Sequence, residues 1–172
     1  MYPRVTEILQ SAGLVNFGMV NANILERASD FGIEGHRVCE LDDYHKLDIT
    51  TVDPAILPYL VSWQKWLVDY AFEITAIEPE VKNDKYRFQG HPDRVGLWQG
   101  RRTVVDIKFT TAISKVTAIQ LAGYDLLLGG GYRRLVVQLL ADGYKVVEYK
   151  DKSDKSVFLA CLTINNFQER RK

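Results

Sequence analysis

Two acidic residues and a lysine fall within a stretch that predicts a β-hairpin, and these side chains could support hydrolytic chemistry. Asp93 follows Gly90-His91-Pro92, and Asp106 precedes Lys108 by two residues. Because successive side chains of a strand alternate between faces, Asp106 and Lys108 are expected to share one face. A turn at Gln99-Gly100-Arg101 would bring Asp93 to the same end of the hairpin.

Two carboxylates beside a lysine suit metal-assisted hydrolysis of a phosphodiester. Magnesium prefers oxygen ligands and is usually held by one or two carboxylates, together with water and substrate phosphate oxygens. Asp93 and Asp106 would supply the carboxylates. Lys108 would orient or deprotonate the attacking water and offset the charge that builds on the phosphate. The pattern therefore predicts a Mg²⁺ or Mn²⁺ site.

Two helical motifs accompany this hairpin. Gly35-His36 is followed by Glu40, and Gln120 is followed by Tyr124, in segments with helical periodicity. Residues four apart lie on one face of a helix, so His36 pairs with Glu40 and Gln120 pairs with Tyr124. Each pair could present polar groups to a site at the end of the hairpin.

Together, the strand and helical motifs carry a resemblance to a known family. Pro92-Asp93, Asp106-Ile107-Lys108 and the two helical motifs resemble, in order, the signature of the PD-(D/E)xK nuclease superfamily, in particular its RecB-like exonuclease branch. The resemblance covers residues 36–124. It implies a restriction-endonuclease-like core, which is an α/β domain with a central mixed β-sheet flanked by helices.

The resemblance also implies a role for each candidate residue. Lys108 would position the nucleophilic water, while Gln120 and Tyr124 would steady water and phosphate next to the catalytic carboxylates. The expected activity is that of a Mg²⁺- or Mn²⁺-dependent DNA exonuclease that leaves 5′-phosphates, acting in replication, recombination or repair of phage, mobile-element or host DNA. The implied metal ligands are His36, Asp93, Asp106, the backbone carbonyl of Ile107 and, as a further candidate, Glu78.

Other functions stay open at this point. A structure-specific endonuclease would use the same site, and a non-catalytic nucleic-acid-binding module would share the fold. The module is disfavoured because Asp93, Asp106 and Lys108 are all intact. A zinc hydrolase built on His36 and His45 lacks the spacing of a metalloprotease motif. The sequence leaves open the strand polarity, the preference for DNA or RNA, and any recombination or replication partner.

The surrounding pattern predicts the elements that must position these residues. Alternating helical and strand periodicities indicate an α/β domain. Gly32 and Gly35 fall within a helix, which suggests a close backbone approach or a break there. Asp53 is a predicted N-cap, with Pro54 in the first helical position. Predicted helices cover 5–12, 21–44, 53–70, 115–128 and 155–168, and predicted strands outside the hairpin cover 72–81, 85–88, 135–140 and 145–149.

Bulk properties narrow the class of protein. A length of 172 residues with 47% hydrophobic residues predicts one soluble domain spanning residues 1–172. No long apolar run or signal peptide is evident, so a cytoplasmic location without membrane attachment is expected. The absence of a phosphate-binding Gly-x-x-x-x-Gly-Lys motif predicts that ATP is not used. Cys39 and Cys161 are too few for the four-cysteine iron–sulfur cluster of some RecB-like nucleases.

The charge distribution bears on DNA binding. The formal net charge is zero, so attraction to DNA would depend on local basic clusters. With no motor and no sequence-reading module, the enzyme is expected to require single-stranded DNA or free ends. The candidate DNA-contacting clusters are Arg101 with Arg102, Arg133 with Arg134, and Arg170-Arg171-Lys172.

Overall fold

In the part of the chain that the structure describes, three helices precede five consecutive strands, which are followed by a helix, two strands and a last helix. The computed structural model describes residues 2–15 and 22–170, with the side chains of 22–26 outside the described set. The helices are α1 (Val5–Ser11), α2 (Ala22–Asp43), α3 (Leu57–Tyr70), α4 (Val116–Leu127) and α5 (Ser153–Glu169), with a 3-10 turn at Ile49–Thr51. The strands are β1 (Glu73–Ile77), β2 (Val81–Asn83), β3 (Phe88–Gly90), β4 (Arg94–Trp98), β5 (Arg101–Lys108), β6 (Arg133–Leu140) and β7 (Gly143–Tyr149).

A five-stranded mixed sheet forms the centre of the fold. Its order is β1-β4-β5-β6-β7, and β2 pairs with β3 in a separate two-stranded sheet. Strands β5 and β6 run parallel, connected through α4, whereas the other neighbours in the large sheet are antiparallel. The predicted α/β architecture with a central mixed sheet flanked by helices is confirmed. The turn predicted at 99–101 is also in place, since β4 ends at Trp98 and β5 begins at Arg101.

Helices cover both faces of β5. Val104 packs into a core that includes residues of α1, α4 and α5, while Val105 and Ile107 pack into a second core with α2 and α3. Both faces of this strand therefore pack, including the face that carries Asp106. Asp106 lies on the same face as Val104 and is 1% exposed, because α4 covers that face.

Strand β5 extends beyond its neighbour β4. The antiparallel ladder ends where Arg94 pairs with Val105, so Asp106 to Lys108 have no partner strand on that side. The chain bends before β4, where residues 91–93 lie outside the strands and Pro92 has no N–H to donate to a ladder. A Cβ at Gly90 would lie 3.0 Å from the Tyr124 ring, so glycine allows α4 to approach closely.

Helix α2 runs without interruption through both of its glycines, so the predicted break does not occur. The alternative prediction, a close approach, is confirmed at Gly35, where a Cβ would overlap the ring of Phe109. At Gly32 a Cβ would contact nothing within 4 Å. The predicted first residue of this helix, Asn21, lies outside the described residues.

Several predicted boundaries are wrong. Asp53 does not cap α3, because it accepts a hydrogen bond from the N–H of Ala55 at 2.8 Å and the helix begins only at Leu57. Pro58 therefore falls in the first turn, where it causes no kink. The strand predicted for 72–81 is split between β1 and β2, and that for 85–88 is replaced by β3. Among the described helices, none has the length and apolar composition needed to cross a bilayer.

Candidate active site

Asp93 lies directly before the first residue of β4, beside the end of β5 that β4 does not reach. Its Oδ2 accepts a hydrogen bond of 2.6 Å from the N–H of Ile107, which β4 is too short to pair. In a β-strand, the N–H and C=O of one residue point towards the same neighbour. The Ile107 carbonyl is therefore directed to the edge of the strand that Asp93 occupies. A backbone oxygen that binds a metal ion together with Asp93 would need this direction.

Asp106 and Lys108 form an ion pair at the end of β5, on the face of the sheet that α4 covers. Lys108 Nζ donates to Asp106 Oδ1 at 3.2 Å and lies 2.9 Å from Oδ2 without a hydrogen bond to it. Asp106 Oδ2 is fully buried and has no hydrogen-bond partner. A buried carboxylate oxygen without a donor is costly, so this atom has unused capacity to bind a cation or a donor.

The charges at the strand end shift the pKa of both members of this pair. Burial raises the pKa of Asp106; Lys108 lowers it and Asp93 raises it, with a net increase. Burial lowers the pKa of Lys108, but Asp106 and Asp93 together raise it above its ordinary value. Lys108 is therefore an ammonium ion at neutral pH, which suits it to orient water and offset negative charge rather than to act as a base.

Helix α2 brings His36 to Asp93. Its Nδ1 lies 3.8 Å from Asp93 Oδ2, and its ring packs against Phe109 with the centroids 5.2 Å apart. His36 and Glu40 both line a cavity of about 550 Å³ that also contains Asp93. The face of α2 that carries His36 and Glu40 thus points to the end of β5, where Asp93 lies.

Glu78 lies next to Asp93, although not as predicted. Sequence analysis placed it within a strand, whereas β1 ends at Ile77 and Glu78 has a φ of 43°. The N–H of Glu78 donates to the carbonyl of Asp93 at 3.0 Å, so the left-handed backbone helps to hold the Asp93 main chain. Burial raises the pKa of Glu78, and Glu40 and Asp93 raise it further. Its role as a metal ligand stays a prediction.

Gln120 and Tyr124 approach from α4. Gln120 Nε2 donates to the Tyr124 hydroxyl at 3.3 Å, as their shared helix face predicts. Tyr124 is 5% exposed, and burial, followed by Asp93 and Asp106, raises its pKa. Its hydroxyl therefore keeps its proton and can donate a hydrogen bond. Gln120 and Lys108 line one cavity of about 450 Å³.

The donor set fits a hard divalent cation. Within residues 2–15 and 22–170, no three His, Cys, Asp or Glu side chains form a ready-made metal site. Magnesium does not need one, because it commonly binds one or two carboxylates and completes its shell with water and substrate oxygens. Asp93 and Asp106 meet that requirement, and Asp106 Oδ2, which lies beside the Lys108 ammonium but accepts no hydrogen bond, could bind a cation.

A buried ion pair beneath Asp93 was missed by sequence analysis. Arg94 is fully buried, and its Nε lies 2.6 Å from Asp43 Oδ2 at the end of α2. The other oxygen of Asp43 accepts a hydrogen bond of 2.9 Å from the indole N–H of Trp63 in α3. This arginine follows Asp93 directly in the sequence, which was the available signal, but its partner lies 51 residues away.

Arg94 also fixes the main chain of the site. Its Nη1 donates to the carbonyl of Asp93 at 2.6 Å and lies 3.9 Å from Glu78 Oε1. Its Nη2 is buried without a hydrogen-bond partner. The guanidinium thus joins α2, β4 and the segment after β1, and sets where the Asp93 carboxylate stands.

Two of the arginines predicted to contact DNA are engaged within the fold. Arg133 forms a two-pronged pair with Glu148, at 2.8 and 3.1 Å, and lies over the Trp98 ring at 3.6 Å. Arg134 is 8% exposed and pairs with Asp154 at 2.9 Å. Little of their charge is available to a phosphate.

The other two predicted arginines are exposed but lie far along the strand. Arg101 begins β5 and Lys108 ends it, a separation of about 23 Å at 3.3 Å per residue. Arg102 lies over the ring of Tyr132 at 4.7 Å. DNA contact at these arginines stays a prediction. Of the C-terminal cluster, Arg171 and Lys172 lie outside the described residues.

Comparisons with known proteins yield structural likeness only. No protein-family model and no curated protein matches the chain. Among solved structures, SSO0001 is 19% identical, with 74% of this chain and 67% of that chain covered and a TM-score of 0.39. The alkaline exonuclease LHK-Exo of Laribacter hongkongensis is 13% identical, with 80% and 91% covered and a TM-score of 0.42. LHK-Exo in complex with dAMP is 12% identical, with 99% and 93% covered and a TM-score of 0.45.

Proposed function

We propose that the protein is a divalent-metal-dependent DNA exonuclease that hydrolyses phosphodiester bonds at the end of β5. The observation that carries the proposal is the buried Asp106 Oδ2, which has no hydrogen-bond donor although it lies beside Lys108. The Lys108 ammonium, 2.9 Å away, offsets the charge of this buried oxygen, and a hydrolytic metal site could use the same atom to hold a cation.

Each residue around the strand end has a task in such a reaction. Asp93 and Asp106 would hold Mg²⁺ or Mn²⁺, with the Ile107 carbonyl and His36 as further ligands. A cation held there supplies Lewis-acid polarisation of the phosphodiester. Lys108, kept charged by the two carboxylates, orients the attacking water and offsets the charge on the phosphate.

Two further groups steady the substrate. Tyr124 keeps its proton and donates to a phosphate oxygen, while Gln120 holds the Tyr124 hydroxyl in place. Both lie on α4, on the opposite face of the sheet from His36 of α2. Helices thus flank the strand end on both faces of the sheet, and we infer that a single strand or a free end enters more readily than an intact duplex.

The proposal is tested with linear and circular single-stranded DNA of one sequence. With Mg²⁺ present, the labelled linear DNA should be shortened progressively while the sealed circle survives. Asp106→Asn is the control for a contaminating nuclease, and it should cleave neither substrate. Rapid nicking of the circle would establish an endonuclease instead. Binding without cleavage of either DNA by the parent protein would leave a non-catalytic nucleic-acid-binding module.

A further inference from the structure

An aromatic-lined cavity of about 390 Å³ lies beside the candidate active site. One wall is formed by Phe31, Tyr59 and Phe109, which come from α2, α3 and the residue after β5. Phe31 meets Tyr59 edge to face with centroids 5.1 Å apart, and the Tyr59 and Phe109 centroids are 6.0 Å apart. All three rings are only partly buried, so ring surface remains open to the cavity.

Three further residues of α2 line the cavity. They are Ala28, Gly32 and His36, which recur every four residues along the helix. A Cβ at Gly32 would meet nothing within 4 Å, so the helix backbone leaves open space here. The aromatic rings together with the small residues Ala28 and Gly32 leave room for a flat apolar group.

The cavity continues into the candidate active site. Ile107 and Lys108 line it together with the aromatic rings, and His36 lines both this cavity and the neighbouring one that contains Asp93. Lys108, whose ammonium pairs with Asp106, therefore lies between the aromatic cavity and the candidate active site. A nucleotide has the matching form, because an anionic phosphate is attached to a planar base.

We propose that this cavity binds the unstacked base of the nucleotide next to the phosphodiester that is cleaved. The inference rests on the proposed nuclease function and adds a base-binding subsite to it. Aromatic side chains stack on bases without selecting sequence, and removing one such ring weakens binding roughly 5- to 100-fold. A base within a duplex is not available for this contact, so the subsite favours single-stranded or frayed ends.

Two tyrosines on α3 offer a matched comparison. Tyr59 lines the cavity near the start of the helix, whereas Tyr70 is at its last residue, packed against Trp98 and Tyr144. Both are partly buried, so their replacement by leucine should have similar effects on folding. Gly32→Leu is a second variant, which fills the cavity without removing a ring.

The assay uses short single-stranded oligodeoxynucleotides with 2-aminopurine at one end or the other, mixed with the protein in Ca²⁺. Stacking on an aromatic ring quenches 2-aminopurine, so the parent protein should quench one of the two probes. Tyr59→Leu and Gly32→Leu should weaken binding of that probe roughly 5- to 100-fold. Tyr70→Leu should stay within about twofold of the parent, as expected for a ring outside the subsite.

The outcomes separate the subsite from the nuclease. If the parent protein cleaves no DNA but quenches a probe, and Tyr59→Leu abolishes that quenching, the nuclease proposal is refuted and the base site is kept. A second comparison uses cleavage of DNA that ends in a normal nucleotide or in an abasic one. Equal cleavage rates for the two, with no quenching of either 2-aminopurine probe, would overturn the base site and keep the nuclease. Equal loss of binding in Tyr59→Leu and Tyr70→Leu, despite intact folding, would also overturn it.

Discussion

Asp43→Asn tests whether the buried ion pair beneath Asp93 holds the candidate site together. Asparagine keeps an oxygen that can accept the hydrogen bond from Trp63, so the substitution removes chiefly the negative charge. Arg94 would then be fully buried without its close counterion, since the remaining carboxylate, that of Glu78, is 3.9 Å away and partly exposed. Breaking a buried pair by removing one partner costs about 3–5 kcal/mol of unfolding free energy.

The sign of this effect depends on two opposing contributions. Burial raises the pKa of Asp43, and Arg94 lowers it, with a net shift upwards. Taken alone, the raised pKa of Asp43 predicts that a neutral residue at this position would not lower the stability of the fold. Arg94 decides the outcome, because its guanidinium cannot lose its proton and lies 2.6 Å from Asp43. At about 2–4 °C per kcal/mol for a chain of this size, the melting temperature should fall by about 6–20 °C.

Urea denaturation at neutral pH measures the effect, with Asp42→Asn as the matched control. Asp42 precedes Asp43 and hydrogen-bonds the exposed side chain of Gln64, so its replacement should change stability by less than about 0.5 kcal/mol. Adding Arg94→Met to Asp43→Asn should restore part of the lost stability, since it removes the orphaned charge. An unfolding free energy for Asp43→Asn equal to or above that of Asp42→Asn would refute the reasoning.

Two further predictions concern the reaction and DNA binding. Lys108→Ala should lower the single-turnover cleavage rate on the order of 10²–10³ while Mg²⁺ still stabilises the fold, and an unchanged rate would remove Lys108 from the mechanism. If Arg101 and Arg102 each contact a phosphate, replacing both by serine should reduce the slope of log K against log salt for single-stranded DNA by about 1.4. An unchanged slope in titrations with single-stranded DNA would exclude that contact.

Local patterns were sufficient to predict the hairpin and which of the candidate residues share a face. Alternation along β5 placed Asp106 and Lys108 on one face, and the four-residue spacing of Gln120 and Tyr124 placed them on another shared face. These relations depend on backbone geometry over a few residues, which the order of residue types determines. The mixed sheet followed from the sequence of helical and strand periodicities.

Features that depend on distant contacts were not predictable from local pattern. Gly35 was open to interpretation as a helix break because its packing partner, Phe109, comes from the far end of β5. The pairing of Arg94 with Asp43 joins segments 51 residues apart. Glu78 was placed in a strand because its neighbours favour one, whereas the main-chain bond to Asp93 holds it in a left-handed turn.

The most direct test of the central claim is a Mg²⁺ titration of the parent protein and Asp106→Asn, followed by thermal unfolding and by cleavage of end-labelled single-stranded DNA. The parent should gain about 2.7 kcal/mol of stability at 100 times the dissociation constant and should cleave in the same concentration range. Asp106→Asn should show neither effect at those concentrations. Full cleavage by the parent protein in excess chelator, or equal stabilisation of both proteins by Mg²⁺, would contradict a metal site at Asp106.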